Sequence, residues 1–167
     1  DYTYSWNFDN ASGEYIFENI TQTKYVVQTK RQEPEYSEGL IDTGLRLDGN
    51  STFIRGAFPT KVHLPITISA WVAAETFPTD TAGFYAVSSD SNDEMWVSVC
   101  MDKFGYILLG TKSADEDKSY LRSDVSIPKF EWHNLTLVIE SEKINLLLDG
   151  ESIVSKLWPT KNKSFEF

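Results

Sequence analysis

Residues 132–153, WHNLTLVIESEKINLLLDGESI, decide the fold class of this chain. In their first part Leu135, Leu137 and Ile139 occupy every second position, and a period of two residues is typical of a β-strand with one face in a core. The polar residues 141–143 follow and predict a short turn. A second apolar run begins directly after them, so the chain is expected to reverse and pair with itself.

The second half of this stretch predicts two further strands. Residues 144–148, INLLL, are apolar on both sides, which is typical of a central strand in a packed sheet. Asp149 and Gly150 form a dipeptide that strongly favours a tight hairpin, because glycine tolerates a positive φ. Residues 152–155 return as the third strand. The stretch therefore predicts an antiparallel meander, and it contains no metal-binding cluster and no phosphate-binding loop.

Short segments of the same kind occur along the whole chain. In residues 2–8 aromatic side chains alternate with small polar ones, and Asp48-Gly49-Asn50 predicts a hairpin turn between two later strands. No helical stripe is longer than about a turn or two, so we predict an all-β fold, a sandwich or a barrel. The predicted strands are 2–8, 15–20, 24–29, 44–47, 52–55, 66–73, 84–88, 95–101, 105–109 and 120–125, with polar loops at 31–39 and 113–118.

The composition excludes several classes of partner. The chain has 167 residues, which favours a single domain over 1–167, and its 25 acidic and 15 basic residues give a formal charge of −10. Nucleic acids and anionic membrane surfaces attract basic proteins, so neither is expected as a partner. No apolar run is long enough to span a bilayer. Neutral sugars remain compatible with this charge.

The apolar face of each predicted strand supplies the expected core. Cys100 is the single cysteine, so no internal disulfide is possible, and its place in a strand pattern indicates a buried and inert thiol. His133, beside a tryptophan in a predicted strand, is expected to be a hydrogen-bonded structural residue rather than a catalytic base. The expected core residues are Trp6, Leu47, Ile68, Val97, Leu135, Leu137 and Leu146.

Four motifs resemble, in their order, those of the laminin-G-like, concanavalin A-like jelly-roll domains. They are YSWNFDN at 4–10, GLRLDGNSTFI at 44–54, ITISAWV at 66–72 and WHNLTLVIESEKINLLLDGE at 132–151. Each motif alone is weak, but together they cover most of the chain. The resemblance implies a two-sheet antiparallel β-sandwich of the concanavalin A-like jelly-roll type, with one concave sheet.

Members of this family are mostly accessory modules of extracellular proteins that bind carbohydrate. The resemblance implies a non-catalytic carbohydrate-binding module that is appended to a glycoside hydrolase, such as the fructan-cleaving family 32 enzymes, and targets it to an oligo- or polysaccharide. Two alternatives stay open: a structural sandwich that packs on a catalytic domain without binding sugar, and a laminin-G-type protein-binding or adhesion domain. A stand-alone glycosidase is disfavoured, because the motifs of the family 32 catalytic domain are absent.

The implied location is extracellular or at the cell surface, and one observation favours a bacterial source. Five N-x-S/T sequons occur in the sequence, and the one at Asn134 begins a predicted core strand. A glycan would be difficult to accommodate there, whereas in a bacterial protein the sequon carries no meaning.

Exposed aromatic rings form the expected binding site, because such rings stack on the apolar C–H faces of sugars. Trp71, Tyr85 and Trp96 each lie opposite the apolar residues of their own strand, so we expect them on one shared platform. Packing of any one ring in the core is the alternative. Arg122 has a planar fork of donors that suits sugar hydroxyls or a carboxylate, and a surface ion pair is the other interpretation of this residue.

No cofactor is required by any motif, and calcium is left open because it occurs in many domains of the family. Asp9 after the first predicted strand and Asp48 in the predicted turn are the candidate ligands, together with their neighbours Asn10 and Asn50. The spacing does not match a dedicated calcium loop, and Asp-Gly turns also occur for backbone reasons alone.

The C-terminal residues depart from the family pattern. Similar domains close with a further strand beside the first one, whereas here the sequence stops at SFEF, residues 164–167. We therefore expect the chain to be a fragment of a longer multidomain protein. Either the closing strand lies beyond Phe167, or residues 165–167 pair with the first strand in its place.

Overall fold

The computed structural model describes residues 3–57, 62–89, 95–113 and 116–158. Contacts divide the chain into two compact units, 1–57 and 58–167. The described residues form strands and no helix, so they include no helix of the length and hydropathy needed to cross a membrane. The strands are β1 (Tyr15–Phe17), β2 (Lys24–Gln28), β3 (Glu35–Glu38), β4 (Thr43–Arg46), β5 (Phe53–Ile54), β6 (Ile66–Ala73), β7 (Thr81–Ser88), β8 (Trp96–Asp102), β9 (Tyr106–Ser113), β10 (Glu116–Ser126), β11 (Trp132–Ile139), β12 (Lys143–Leu148) and β13 (Glu151–Leu157).

The unit 58–167 consists of two four-stranded antiparallel sheets that enclose one apolar interior. The strand orders are β10-β9-β8-β7 in the first sheet and β13-β12-β11-β6 in the second. Buried side chains from both sheets belong to a single hydrophobic cluster. The predicted all-β, two-sheet antiparallel fold is confirmed. The predicted meander is also present as β11, β12 and β13.

The register of the meander follows the alternation in its sequence. Leu135, Leu137 and Leu146 are completely buried, and Leu137 pairs directly with Leu146 across the β11–β12 ladder. On the other side of β11, Leu137 faces Ile68 of β6. Because side chains alternate between the faces of a sheet, these pairings direct the intervening residues to the outer surface.

The predicted tight turn at Asp149-Gly150 is present, with a positive φ of 51° at Asp149 and of 87° at Gly150. The Asp149 carboxylate accepts the Asn134 backbone N–H at 2.7 Å and lies 2.7 Å from Nδ1 of His133. These contacts lower the pKa of Asp149, with the His133 hydrogen bond as the main cause. His133 therefore has the hydrogen-bonded position expected from the sequence.

One lysine joins the two sheets at their edge. Nζ of Lys156 on β13 donates to Oγ1 of Thr111 on β9 at 2.8 Å and to Oε2 of Glu116 on β10 at 2.9 Å. Since β10 and β13 are the outermost strands of their sheets, this ammonium closes the apolar interior with polar contacts. Ser119 accepts a further hydrogen bond from the same nitrogen at 3.2 Å.

The unit 1–57 contains a three-stranded sheet, β1-β2-β5, and a separate hairpin, β3-β4. Ile16, Tyr25 and Val27 are its buried residues, and Trp6 and Phe8 pack against them. The strand predicted for 2–8 is wrong for residues 3–8, which belong to no ladder. Hydrogen bonds to another part of the unit hold this segment instead: the Ser5 N–H donates to Glu18 at 2.8 Å, and the Ser5 carbonyl accepts from Asn19 at 2.8 Å.

The hairpin predicted around Asp48 is also wrong, because β4 pairs with β3 and β5 pairs with β2. The predicted loop at 31–39 thus contains a strand. Oδ1 of Asp48 accepts the backbone N–H groups of Asn50, Ser51 and Thr52, so a side chain closes this turn in place of a strand ladder. Leu47, expected in the core, is 44% exposed.

The other core expectations divide into two groups. Val97, Leu135, Leu137 and Leu146 are fully buried, whereas Trp6 and Ile68 are partly buried against their clusters. Cys100 is buried, and desolvation raises the pKa of its thiol, as expected for an inert cysteine. The predicted terminal segment 164–167 lies outside the described residues.

Leu137→Ala tests the interior directly. Leu137 is 0% exposed, so truncation should leave a cavity and lower the free energy of unfolding by about 2–5 kcal/mol in a urea titration. Leu157→Ala is the matched control, because Leu157 is 77% exposed and its loss should change the free energy by less than about 0.5 kcal/mol. Equal effects of the two variants would contradict the placement of Leu137.

Glu18→Gln tests the carboxylate that holds the N-terminal segment. Burial raises the pKa of Glu18, but hydrogen bonds from Thr21, Ser5 and Ile20 outweigh it and lower the pKa to about 2 from an ordinary 4.5. A lowered folded-state pKa stabilises the fold above pH 4.5, and this contribution disappears as the pH falls toward 2. At pH 6 the thermal unfolding midpoint of wild type should therefore be higher than that of Glu18→Gln. The difference between the two midpoints should shrink as the pH falls from 4.5 to 2.

Glu33→Gln is the control for this experiment, because Glu33 is exposed. Its thermal unfolding midpoint at pH 6 should equal that of wild type. A gap between wild type and Glu18→Gln that stays constant over the acid range would contradict the role given to this carboxylate.

Candidate functional site

The strand β8 separates core residues from surface residues by simple alternation. Val97 and Val99 are completely buried in the interior between the sheets. Trp96 and Ser98 therefore lie on the opposite, outer face of the sheet. This is the placement that the sequence predicts for Trp96.

A glycine forms the floor beneath Trp96. Gly110 on β9 pairs with Ser98 on one side and with Tyr120 of β10 on the other. A Cβ atom at Gly110 would lie 2.7 Å from the Tyr120 ring and 2.9 Å from the Trp96 ring. The absence of a side chain at Gly110 thus lets both rings lie against the sheet.

The two rings form an aromatic pair on this face. The ring centroids of Trp96 and Tyr120 are 6.1 Å apart, and their planes are tilted by 48°. Tyr120 is 43% exposed, and Trp96 is partly exposed. Two neighbouring rings on an outer sheet surface supply the apolar area against which a flat ligand can stack.

A lysine ammonium lies over both rings. Nζ of Lys118 is 5.0 Å from the centroid of Tyr120 and 5.6 Å from that of Trp96. A cation over an aromatic face is attracted by the negative potential of the ring. Hydrogen bonding to Tyr120 raises the pKa of Lys118, so the side chain is cationic at neutral pH.

Arg122 is held beside this group by a carboxylate and a third aromatic ring. Its Nε donates to Oδ2 of Asp102 at 2.8 Å, and its guanidinium carbon is 3.5 Å from the centroid of Tyr106. Oδ1 of Asp102 accepts the backbone N–H groups of Phe104 and Tyr106. Burial raises the pKa of Asp102, but these donors outweigh it and lower the pKa below its ordinary value.

The Trp96 face is the surface formed by the side chains of Trp96, Lys118, Tyr120 and Arg122 around Gly110. Arg122 pairs with Leu108, and Leu108 pairs with Cys100, which alternates with Trp96 on β8. The structure therefore brings two of the predicted site residues, Trp96 and Arg122, to one surface. Both interpretations of Arg122 remain compatible with this geometry, because the guanidinium forms an ion pair and is still half exposed.

Trp71 lies on a different surface. It is 54% exposed and pairs with Asn134 on the outer side of the second sheet, β13-β12-β11-β6. Ser69, Asn134 and Thr136 surround this position with a network of neutral hydrogen bonds. Because Trp71 and Trp96 belong to opposite outer faces of the same two-sheet unit, the expectation that they share a platform is wrong.

Tyr85 is directed into the interior. The register of β7 against β8 shifts between Gly83 and Tyr85, so that Tyr85 pairs with the buried Val99. Its hydroxyl donates to the Leu135 carbonyl on the opposing sheet at 3.1 Å, and burial raises its pKa. The expected place of Tyr85 on a shared platform is therefore wrong, because a β-bulge reverses the face assignment.

Sequence reasoning missed Lys118, Tyr120 and Gly110 as members of the site. Their signals are present: Lys118, Tyr120 and Arg122 recur at every second position, and Gly110 interrupts an apolar strand. A glycine inside a strand often marks the close approach of another group. Lys118 is missed because the sequence predicts a loop at 113–118, whereas the structure has Lys118 in strand β10.

The carboxylates of the two calcium candidates accept hydrogen bonds from the protein itself. Asp9 accepts the Thr43 backbone N–H, and Asp48 accepts three backbone N–H groups and the Ser51 hydroxyl. These donors, the Ser51 hydroxyl first, lower the pKa of Asp48. No group of three or more His, Cys, Asp or Glu side chains in the described ranges is placed to hold a metal ion.

Three solved structures show the same fold at low sequence identity. A domain of an extracellular GH43 arabinanase, domain 4 of AbnA from Geobacillus stearothermophilus in complex with arabinotriose, superposes with a TM-score of 0.66 at 18% identity, over 99% of this chain and 80% of that one. Residues 221–444 of an S-layer domain-containing protein from Clostridium thermocellum give 0.56 at 16% identity, over 93% and 72%. The carbohydrate-binding module CBM66 from Bacillus subtilis gives 0.52 at 12% identity, over 76% and 77%.

Comparison with the sequences of curated proteins gives no significant match. The family comparison does: residues 48–164, well over half of the chain, match the model of the Concanavalin A-like lectin/glucanases superfamily, Laminin_G_3. The resemblance seen in the four sequence motifs is thereby confirmed. The chain belongs to the laminin-G-like branch of the concanavalin A-like lectin/glucanase superfamily.

Proposed function

We propose that this chain is a carbohydrate-binding module and that the Trp96 face is its binding surface. The observation that carries the proposal is the pair of rings, Trp96 and Tyr120, lying 6.1 Å apart against Gly110 on an outer sheet surface. Aromatic rings of this kind stack on the C–H faces of sugars, while nearby polar groups hold the hydroxyls. Arg122, fixed by Asp102 and Tyr106, supplies such donors.

The module is proposed to be non-catalytic. Glycoside hydrolysis by the common mechanisms requires two carboxylates across the scissile bond. Among the described residues, the carboxylate that contacts the Trp96 face is Asp102, and its oxygens are engaged by Arg122 and by two backbone N–H groups. The described residues of this surface therefore suit saccharide binding and include no pair of free carboxylates in contact with it.

The cellular role proposed is to hold a neighbouring catalytic domain of the same protein near a polysaccharide outside the cell. A tethered module raises the effective concentration of its partner even when its own binding is weak. The structural likeness to a domain of an extracellular arabinanase and to a carbohydrate-binding module supports this role. A glycoside hydrolase is the proposed partner domain.

Trp96→Ala tests the binding surface. Loss of one stacking ring should weaken saccharide binding by about threefold to tenfold, while the circular dichroism spectrum and thermal midpoint stay near those of wild type. Affinity electrophoresis against arabinan, levan and inulin, with a glycan array for other sugars, provides the measurement. Trp71→Ala is the matched control, since Trp71 is an exposed tryptophan on the opposite outer face.

Three outcomes of this experiment are informative. Loss of binding in Trp96→Ala alone supports the proposal, whereas loss in Trp71→Ala alone would move the site to the other sheet. If the wild-type chain retains no saccharide at all, the proposal fails. A structural sandwich or a protein-binding domain of the laminin-G type would then be the better description.

A further inference from the structure

The Trp96 face differs in charge from the chain as a whole. The chain has a formal charge of −10, yet the Lys118 ammonium lies over the two rings, and the Arg122 guanidinium lies over the Tyr106 ring beside them. Arg122 is neutralised by Asp102, with which it forms an ion pair at 2.8 Å. No carboxylate among the described residues forms an ion pair with Lys118. The described part of this face therefore includes a cation, Lys118, that no described carboxylate neutralises.

The position of Lys118 places a condition on any ligand that stacks here. Its ammonium lies over both rings, at 5.0 Å from one centroid and 5.6 Å from the other. A neutral sugar that covers the rings must displace this cation and break both contacts. A sugar with a carboxylate can instead keep the ammonium at the edge of the rings, where the two opposite charges meet.

We propose that the Trp96 face selects acidic saccharides, in which a uronic acid stacks on Trp96 and Tyr120 and directs its carboxylate to Lys118. This inference rests on the proposed function, and it specifies the class of sugar. Arg122 lies two residues beyond Tyr120 on the same strand and is half exposed, so in this proposal its guanidinium would meet the next sugar unit of the ligand. A planar guanidinium accepts either vicinal hydroxyls or a second carboxylate.

The test compares ligands that differ only in charge. Galacturonate and glucuronate oligosaccharides are titrated against the full chain by calorimetry, alongside the same oligosaccharides as neutral methyl esters. One exposed ion pair should make the acid form bind about threefold to fivefold more tightly than its ester. Raising the salt from about 20 mM to about 500 mM should remove most of this preference, because exposed charges are screened.

Lys118→Gln is the decisive variant. It should bring the affinity for the acid form down to that of the ester and leave the affinity for the ester unchanged or slightly higher. Lys129→Gln is the matched control, because Nζ of Lys129 also lies over an aromatic ring, at 4.8 Å from that of Phe77, and neither residue is a member of the Trp96 face. This control should keep the full preference for the acid form.

The possible failures are distinguishable. Equal binding of acid and ester by wild type, or an equal loss of both in Lys118→Gln, overturns the inference and leaves carbohydrate binding intact. If wild type binds neither form but retains another sugar through Trp96, the selectivity is wrong and the proposed function stands. If no sugar of any kind is retained, both proposals fail.

Discussion

The register of the two sheets around their common interior is the constraint on which the rest of the unit 58–167 depends. Leu135 and Leu137 in one sheet and Val97 and Val99 in the other are completely buried. Since side chains alternate along a strand, a slip of one residue would move each of these groups to the surface and bring polar groups inside. The hydrophobic free energy of the interior therefore fixes which residues face outward, including every residue of the candidate site.

The sequence predicts β6 and β11 well, because the alternation along these two strands is local and the ladder between them contains no register shift. The strand at Ile66–Ala73 has the bounds that its pattern predicts, and the meander from Trp132 follows its turns as expected. The prediction of strands fails where backbone N–H groups donate to a side chain instead of to a neighbouring strand. Glu18 takes the N–H groups of Ser5, Ile20 and Thr21, and no pattern in the sequence announces such a contact.

The candidate site could be predicted only in part, for two physical reasons. Alternation places Trp71 and Trp96 outside the core correctly, but it cannot tell which sheet contains each strand, because strand order is a long-range property. The bulge after Gly83 adds one residue to the ladder and turns Tyr85 inward. A glycine within a strand is a signal for such a bulge, although it is equally a signal for close packing, which is its role at position 110.

Arg122 shows how contacts that shape a turn of the fold also position a residue of the proposed binding surface. Asp102 ends β8 and accepts the N–H groups of Phe104 and Tyr106, so its carboxylate shapes the turn into β9. The other oxygen of that carboxylate, Oδ2, accepts a hydrogen bond from Nε of Arg122, and the guanidinium packs on the face of the Tyr106 ring. A donor fork held in this way loses little side-chain entropy when a ligand arrives, which favours binding even at a shallow surface. Lys118 contacts the Tyr120 and Trp96 rings but forms no ion pair with a described carboxylate. In the proposed complex, the Lys118 ammonium would therefore be the group that responds to the charge of the ligand, and Arg122 would be the fixed donor.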